Sequence, residues 1–172
     1  MALTLRELRD EDLPHLYEQW ADPAAMHMAA FTAPDHMDPD AFERRWARLR
    51  ADETVLNRVV VVGEDVAGTI GSWGDAGDRE VTYWIGRFFW GKGIATAALE
   101  AFLAVDRSRP LRARVASDNV ASRRVLEKCG FRVVATDRGF AEARSSEIEE
   151  LVLRLDKPVP AEVRRAASAR SG

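Results

Sequence analysis

The 172-residue chain has one cysteine, two tyrosines and three histidines, and its opposite charges almost cancel. A single cysteine, Cys129, cannot form an internal disulfide and excludes any metal site built from several thiolates. It follows Leu126 at helical spacing and reads as a packing residue rather than a nucleophile. Three scattered histidines show no ligand spacing, so no metal is expected. With 25 basic and 28 acidic residues the net charge is −3, which provides no broad positive field for nucleic acid or an anionic membrane; neither is expected as a partner. No apolar run approaches the roughly 20 residues of a membrane-spanning helix. Met1 leads into alternating polar and apolar residues rather than a basic segment and an apolar core, so a cytoplasmic location is expected. Repeats and low-complexity blocks are also missing.

What is present is an ordinary globular composition, 47% apolar and 31% charged, at a length suited to one domain. The expected domain is 1–157, with 158–172 a flexible tail. Leu3, Leu5 and Leu8 open like a strand, and Asp10, Glu11 and Asp12 supply a cap and first-turn acids for a helix through Trp20. Asp22-Pro23 breaks that helix, a Met-rich loop is expected, and Asp38-Pro39 restarts a helix with Phe42, Trp46 and Leu49 on one face. Residues 59–62 and 66–73 read as a hairpin about Gly63-Glu64-Asp65, and 80–87 as the next strand. Helical stripes at 94–105 and 118–129 alternate with strands at 111–115, 131–136 and 148–155. The expectation is an α/β chain of about seven strands and four helices, its mixed sheet covered on both faces.

Between the strand at 80–87 and the following helix stands WGKGIAT, residues 90–96. Small residues let backbone approach a ligand, and a helix start presents free amides at the positive end of its dipole. The amides of Gly91, Gly93, Ala95 and Thr96 suit a pyrophosphate, with the Thr96 hydroxyl and Lys92 nearby; a plain tight turn is the alternative. Two nucleotide motifs come close and fail. The P-loop pattern holds for Gly86, Gly91 and Lys92 until Gly93 replaces the magnesium-binding hydroxyl, and the dinucleotide fingerprint meets Thr96 where its third glycine belongs.

At this loop the sequence resembles the GNAT superfamily of acetyltransferases, whose signature is Gln/Arg-x-x-Gly-x-Gly/Ala. Trp90, Gly93 and Ala95 stand at those positions. Trp replaces the usual Gln or Arg, yet the wider YWIGRFFWGKGIATAAL is similar to the branch of ribosomal-protein N-terminal acetyltransferases. A second block, SDNVASRRVLEKCGF at 117–131, resembles the superfamily's Asn-x-x-Ser helix ending in Glu-Lys-x-Gly-Phe. The resemblance covers about 3–155 and is strongest over 80–131. It implies a GNAT fold with a mostly antiparallel sheet, acetyl-CoA as acetyl donor, an amine acceptor, and a monomer or homodimer.

The resemblance further implies that the strands at 80–87 and 111–115 splay, leaving backbone at Ile85 and Arg87 to bind pantetheine. Asn119 falls where the family places an Asn on the pantetheine arm and is read in that role, with an ordinary helix cap as the alternative. Ser122, one turn on, faces the thioester or packs as a small residue under the sheet. Glu80 matches the acidic residue of the acidic-x-Gly-Tyr-Trp pattern and is the expected general base, with an edge carboxylate as the alternative. Leu126 stands where many relatives carry a general-acid Tyr; Ser122, Tyr83 or water remain for that role. Met26, His27, Met28, Phe31, His36 and Trp46 are candidates to line the acceptor cleft, against a reading as core and surface residues. A CoA-binding domain without turnover is the alternative to an enzyme.

Overall fold

Seven strands and five α-helices build residues 2–157, the part that the computed structural model describes. The expected tail at 158–172 lies outside the described residues. In chain order the elements are β1 (Leu3–Arg6), α1 (Leu13–Trp20), α2 (Pro23–Ala29), α3 (Pro39–Ala51), β2 (Leu56–Val62), β3 (Asp65–Trp73), β4 (Arg79–Ile85), α4 (Ile94–Val105), β5 (Leu111–Ala116), α5 (Val120–Lys128), β6 (Arg132–Ala141) and β7 (Ser146–Leu155). The strands form one mixed sheet in the order β1-β2-β3-β4-β5-β7-β6. Every neighbouring pair is antiparallel except β4 and β5. This is the mostly antiparallel α/β architecture that the sequence implies.

Each face of the sheet buries a different set of apolar residues. On one, α4 and α5 cover a core that includes Ile70, Val81, Ile85, Leu99, Phe102, Leu111, Leu126 and Leu153. On the other, Leu16, Phe42 and Trp46 of α1 and α3 make a smaller cluster. Such stripes set helix positions because burying a large apolar side chain is worth about 1.5–3 kcal/mol.

Four elements depart most from expectation. A helix, α2, occupies the predicted Met-rich loop: Asp22 ends α1, but its carboxylate then accepts from the amides of Ala24 and Ala25, and Pro23 starts a new helix. Strand β4 ends at Ile85, two residues early, because Gly86 N–H bonds the Ala67 carbonyl and Arg87 to Phe89 turn tightly. Strands β6 and β7 run longer than their apolar stretches. Most β6 side chains are exposed, so backbone pairing with β7 holds the strand where no hydrophobic alternation marks it.

The parallel contact between β4 and β5 is confined to Arg79↔Leu111 and Glu80↔Arg112. Beyond it the strands diverge. Arg79 secures the closed end: Nε bonds Asp106 at 3.2 Å, Nη1 the carbonyls of Thr54 and Gly74 at 2.9 Å, and Nη2 the Ser72 carbonyl and hydroxyl. Buried Ser72 also donates to buried Asp106. Burial pushes the Asp106 carboxyl up, but hydrogen bonds from Ser72, Ser108 and Arg79 outweigh it and hold the group below the ordinary aspartate value. A depressed folded-state pKa stabilises above the unfolded value of about 4 and loses that effect as pH falls through the folded value. Asp106→Ala, which strands the Arg79 charge, is expected to cost about 3–5 kcal/mol in denaturant unfolding. The mutant should also lose the Asp106 share of the acid dependence of stability below about pH 4.

Candidate active site

At the open end of the gap, the chain leaves β4 and enters α4 through the glycine loop. Gly91 and Gly93 have φ values of 72° and 74°, left-handed conformations that strain side-chain-bearing residues. A Cβ added at either meets nothing within 4 Å, so the loop is open to a ligand. Gly93 is the N-cap of α4 and no side chain caps the helix; its first closing bond runs from Ala97 N–H to the Gly93 carbonyl. The amides of Ile94, Ala95 and Thr96 therefore precede the first intrahelical bond and face the loop's open side, a donor set suited to an anion. Lys92 folds over Phe88, its Nζ 4.1 Å from the ring centroid. Trp90, the departure from the family's Gln or Arg, donates its indole N–H to the Ile85 carbonyl at 2.7 Å.

Strand β4 offers backbone to the gap in a fixed alternation. Because Gly86 bonds β3 through its amide, the groups of Val81, Tyr83 and Ile85 turn the other way, toward β5. The Val81 amide serves the last β5 pair, Glu80↔Arg112, and beyond it no strand pairs with Tyr83 or Ile85. The Ile85 carbonyl is taken by Trp90, so its amide is the group left to the gap. Arg87 lies beyond the strand, its carbonyl bonded by Trp90 N–H and its side chain 2.9 Å from Asp22; the expected strand position is thereby corrected.

Side chains alternate across the sheet in the same way. Glu80, Thr82 and Trp84 share one sheet face, and on it Trp84 meets α1: its ring lies 4.4 Å from that of Trp20 and its indole donates to the Gln19 carbonyl. Glu80 sits at the closed end with a quarter of its side chain exposed, 3.6 Å from Arg114. That guanidinium also meets Glu150 at 3.0 Å and Asp137 at 3.4 Å. Burial raises the Glu80 carboxyl above its ordinary value; Arg114 opposes the shift and Glu150 and Asp78 reinforce it.

Val81, Tyr83 and Ile85 face α4 and α5. The Tyr83 hydroxyl lies 2.7 Å from Ser122 Oγ and 3.1 Å from the Ser122 carbonyl, crossing from β4 to the first turn of α5. Burial, countered by Ser122, pushes the phenol up to about 12. Leu126, one turn further on, is buried in the core. Asn119 caps α5 by accepting from Ser122 N–H and donates to the Met28 carbonyl, so its side chain serves the fold at both ends.

The α1–α2 segment spans the open end on the Glu80 face. On the β4 side, Gln19 packs on Gly86 and Asp22 pairs with Arg87. On the β5 side, Asn119 and Arg144 bond the carbonyls of Met28 and His27, and Ala143 N–H bonds Ala30. A cleft of about 460 Å³ opens between Glu18, Gln19, Asp22 and Gly86 to Phe89. Among the proposed acceptor residues, Met26 and Trp46 are buried in packing, and His36 is tied to the Ala33 carbonyl; His27, Met28 and Phe31 stay near the β5 side of this segment. Among the described residues no cluster of His, Cys, Asp and Glu could hold a metal, and no helix is long and apolar enough to cross a membrane.

A family model described as Acetyltransferase (GNAT) domain matches residues 2–132. The chain belongs to this acetyltransferase family. Members are acetyl-CoA-dependent N-acetyltransferases, and the open mixed sheet found here is the GNAT fold. The GNAT chain is 26% identical to an uncharacterized N-acetyltransferase, p20, of Bacillus licheniformis, over 90% of this chain and 93% of that one. Among solved structures it is similar to RimL, a ribosomal L7/L12 alpha-N-protein acetyltransferase in complex with coenzyme A, with TM-score 0.79 and 15% identity over 91% of this chain and 95% of the other. It is also similar to a spermidine N-acetyltransferase from Vibrio cholerae in complex with CoA and spermine, with TM-score 0.75 and 18% identity over 90% and 95% of the two chains.

Sequence reasoning placed Trp90 at the family's signature position and Met26, His27 and Met28 in an acceptor cleft, but missed the Trp90 bond to Ile85 and the anchoring of the α1–α2 segment across the open end. The signal for the first was its departure from the family's Gln or Arg; the second depends on contacts about 100 residues apart that no local pattern encodes. Gly93→Ala tests the loop cleanly, because the added methyl meets no protein atom. The variant should remain folded, at a cost of about 1–2 kcal/mol for its left-handed backbone, and lose acetyl-CoA affinity at least about tenfold in calorimetry. Unchanged affinity would remove the loop from the donor site.

Proposed function

We propose that the protein transfers an acetyl group from acetyl-CoA to a primary amine, by direct attack of the amine on the thioester. One observation carries this reading: β4 and β5 part immediately after Glu80, with an uncapped glycine-turned helix start at their open end. The distance from Glu80 to Gly86 along β4 is about 20 Å at 3.3 Å per residue, so an extended donor arm can run from the loop toward the closed end. Gly91, Lys92, Gly93, Ala95 and Thr96 would hold the pyrophosphate by amides and charge. The Ile85 amide would bond the pantetheine arm, and Asn119 would support it through the α5 start.

Attack requires a neutral amine, and Glu80 is the proposed base, directly or through water. Its face of the sheet is also the α1–α2 face, so acceptor and base share one side. Ser122 approaches from the opposite side and would stabilise the departing thiolate. An α-amine of pKa near 8 is partly neutral at pH 7, whereas a lysine near 10.4 is not, which favours a protein N-terminus or a small amine of similar basicity as acceptor. The enzyme would act in the cytoplasm, as a monomer or homodimer, without a metal. The buried Leu126 in place of a helical Tyr favours the second reading, a CoA-binding domain without turnover. Thiol release across a panel of α-amines, polyamines and aminoglycoside-like compounds separates the two: release with any acceptor supports transfer, and binding without release supports the second reading.

Glu80→Gln should lower turnover about 10²- to 10⁴-fold at neutral pH while acetyl-CoA affinity changes little. In the wild type, kcat/KM should fall on the acid side as Glu80 protonates, at a pH above the ordinary glutamate value because its carboxyl is raised. The mutant should lack that limb and recover as rising pH supplies neutral amine. A near-normal rate with wild-type pH dependence would assign Glu80 to the strand surface.

A further inference from the structure

Tyr83 is one of two tyrosines in the chain, and its hydroxyl reaches Ser122 across the space between β4 and α5. The 3.1 Å contact is to a carbonyl, which only accepts, so there Tyr83 is the donor; the 2.7 Å contact to Ser122 Oγ can run either way. Two arrangements of the same protons follow. In the first, Tyr83 donates to the Ser122 carbonyl and Ser122 Oγ–H donates to Tyr83. In the second, Tyr83 donates to Oγ and the Ser122 proton is released toward the gap. Both keep every proton on its own oxygen.

We propose that Tyr83 is a positioning residue for thiolate departure, which switches to the second arrangement and turns the Ser122 hydroxyl onto the sulfur as the C–S bond breaks. The inference rests on the acetyl-transfer reading. The amine lone pair forms the C–N bond and the carbonyl π pair moves to oxygen; when the carbonyl re-forms, the C–S pair leaves on sulfur. The ammonium proton goes to Glu80 and then to solvent, the thiolate accepts a hydrogen bond from Ser122, and no proton leaves Tyr83. A phenol held near 12 suits this role, since it stays protonated through the working pH range and donates hydrogen bonds without serving as the acid.

Two further observations point the same way. Leu126, one turn on from Ser122, is buried in the core and offers no hydroxyl, whereas Tyr83 delivers one from the facing strand to Ser122 on the same helix. Tyr83 also lies on the sheet face opposite Glu80, so proton removal and thiolate stabilisation fall on opposite sides of the gap.

The test uses free CoA, so it needs no acceptor. Thiolate absorbance of CoA bound to the full chain is titrated with pH in wild type, Tyr83→Phe, Ser122→Ala and the double mutant. In wild type the bound thiol should titrate about one unit below an unperturbed thiol near 8.5. Each single variant should return it most of the way, and the double mutant should add nothing further, because the two hydroxyls act as one unit. With an acceptor in hand, each single variant should lose about ten- to a hundredfold in kcat at little change in KM for acetyl-CoA. A wild-type chain that fails to bind CoA overturns the acetyl-transfer reading and this inference with it. Wild-type CoA affinity in Tyr83→Phe, with the thiol still titrating where it does in wild type, overturns this inference alone. An unshifted Ser122→Ala does the same if Tyr83→Phe is too unstable to measure.

Discussion

Everything distinctive about this site depends on a sheet contact that stops early. Strands β4 and β5 share two register pairs and then part, which leaves the backbone of β4 without a strand partner on one side. In a soluble sheet such groups are normally paired or solvated, because an unmet buried donor or acceptor costs about 1–3 kcal/mol. The gap is therefore a row of backbone groups ready for an extended ligand. Arg79 and buried Asp106 fix where it begins, and the Gly91–Gly93 turn fixes what chemistry waits at its mouth.

The sheet also sorts the chemistry by side-chain parity. Even-numbered residues of β4 put Glu80 and Trp84 on the face roofed by α1 and α2, whereas odd-numbered residues put Tyr83 against Ser122 of α5. A one-residue change in β4 register would exchange these faces and turn the residue-80 carboxylate and the residue-83 hydroxyl to the opposite sides. The long Arg79 hydrogen-bond set guards against such a slip, since it engages Thr54, Ser72, Gly74 and Asp106 together. Stability and site geometry are thus held by the same residue.

Much of this was legible in the chain. The glycine loop and the Asn119 to Phe131 block each carry local patterns, and they fall in an order that a single fold explains. The apolar stripe of α4 was correspondingly plain, as was the β-branched run at 59–62, although β2 begins three residues earlier at Leu56. Helix α2 was not, because Pro23 reads as a break until Asp22 is seen to cap the next turn. The length of β6 was hidden too, since its exposed edge needs backbone pairing and no apolar face. At the site, the types of Glu80 and Ser122 suggested chemistry, but their surroundings did not follow from sequence. The Arg114 guanidinium shared by Glu80, Glu150 and Asp137, and the Asn119 bond to Met28, both join residues far apart in the chain.

Amide hydrogen exchange on β4, with and without acetyl-CoA, tests most directly whether the gap is the donor site. The amides of Thr82 and Trp84 already face β3, whereas those of Tyr83 and Ile85 face the gap. The account predicts that acetyl-CoA slows exchange at Tyr83 and Ile85, together with Ile94, Ala95 and Thr96 at the start of α4, and leaves Thr82 and Trp84 nearly unchanged. Saturating acetyl-CoA that leaves Tyr83 and Ile85 exchanging at their free rates would contradict it.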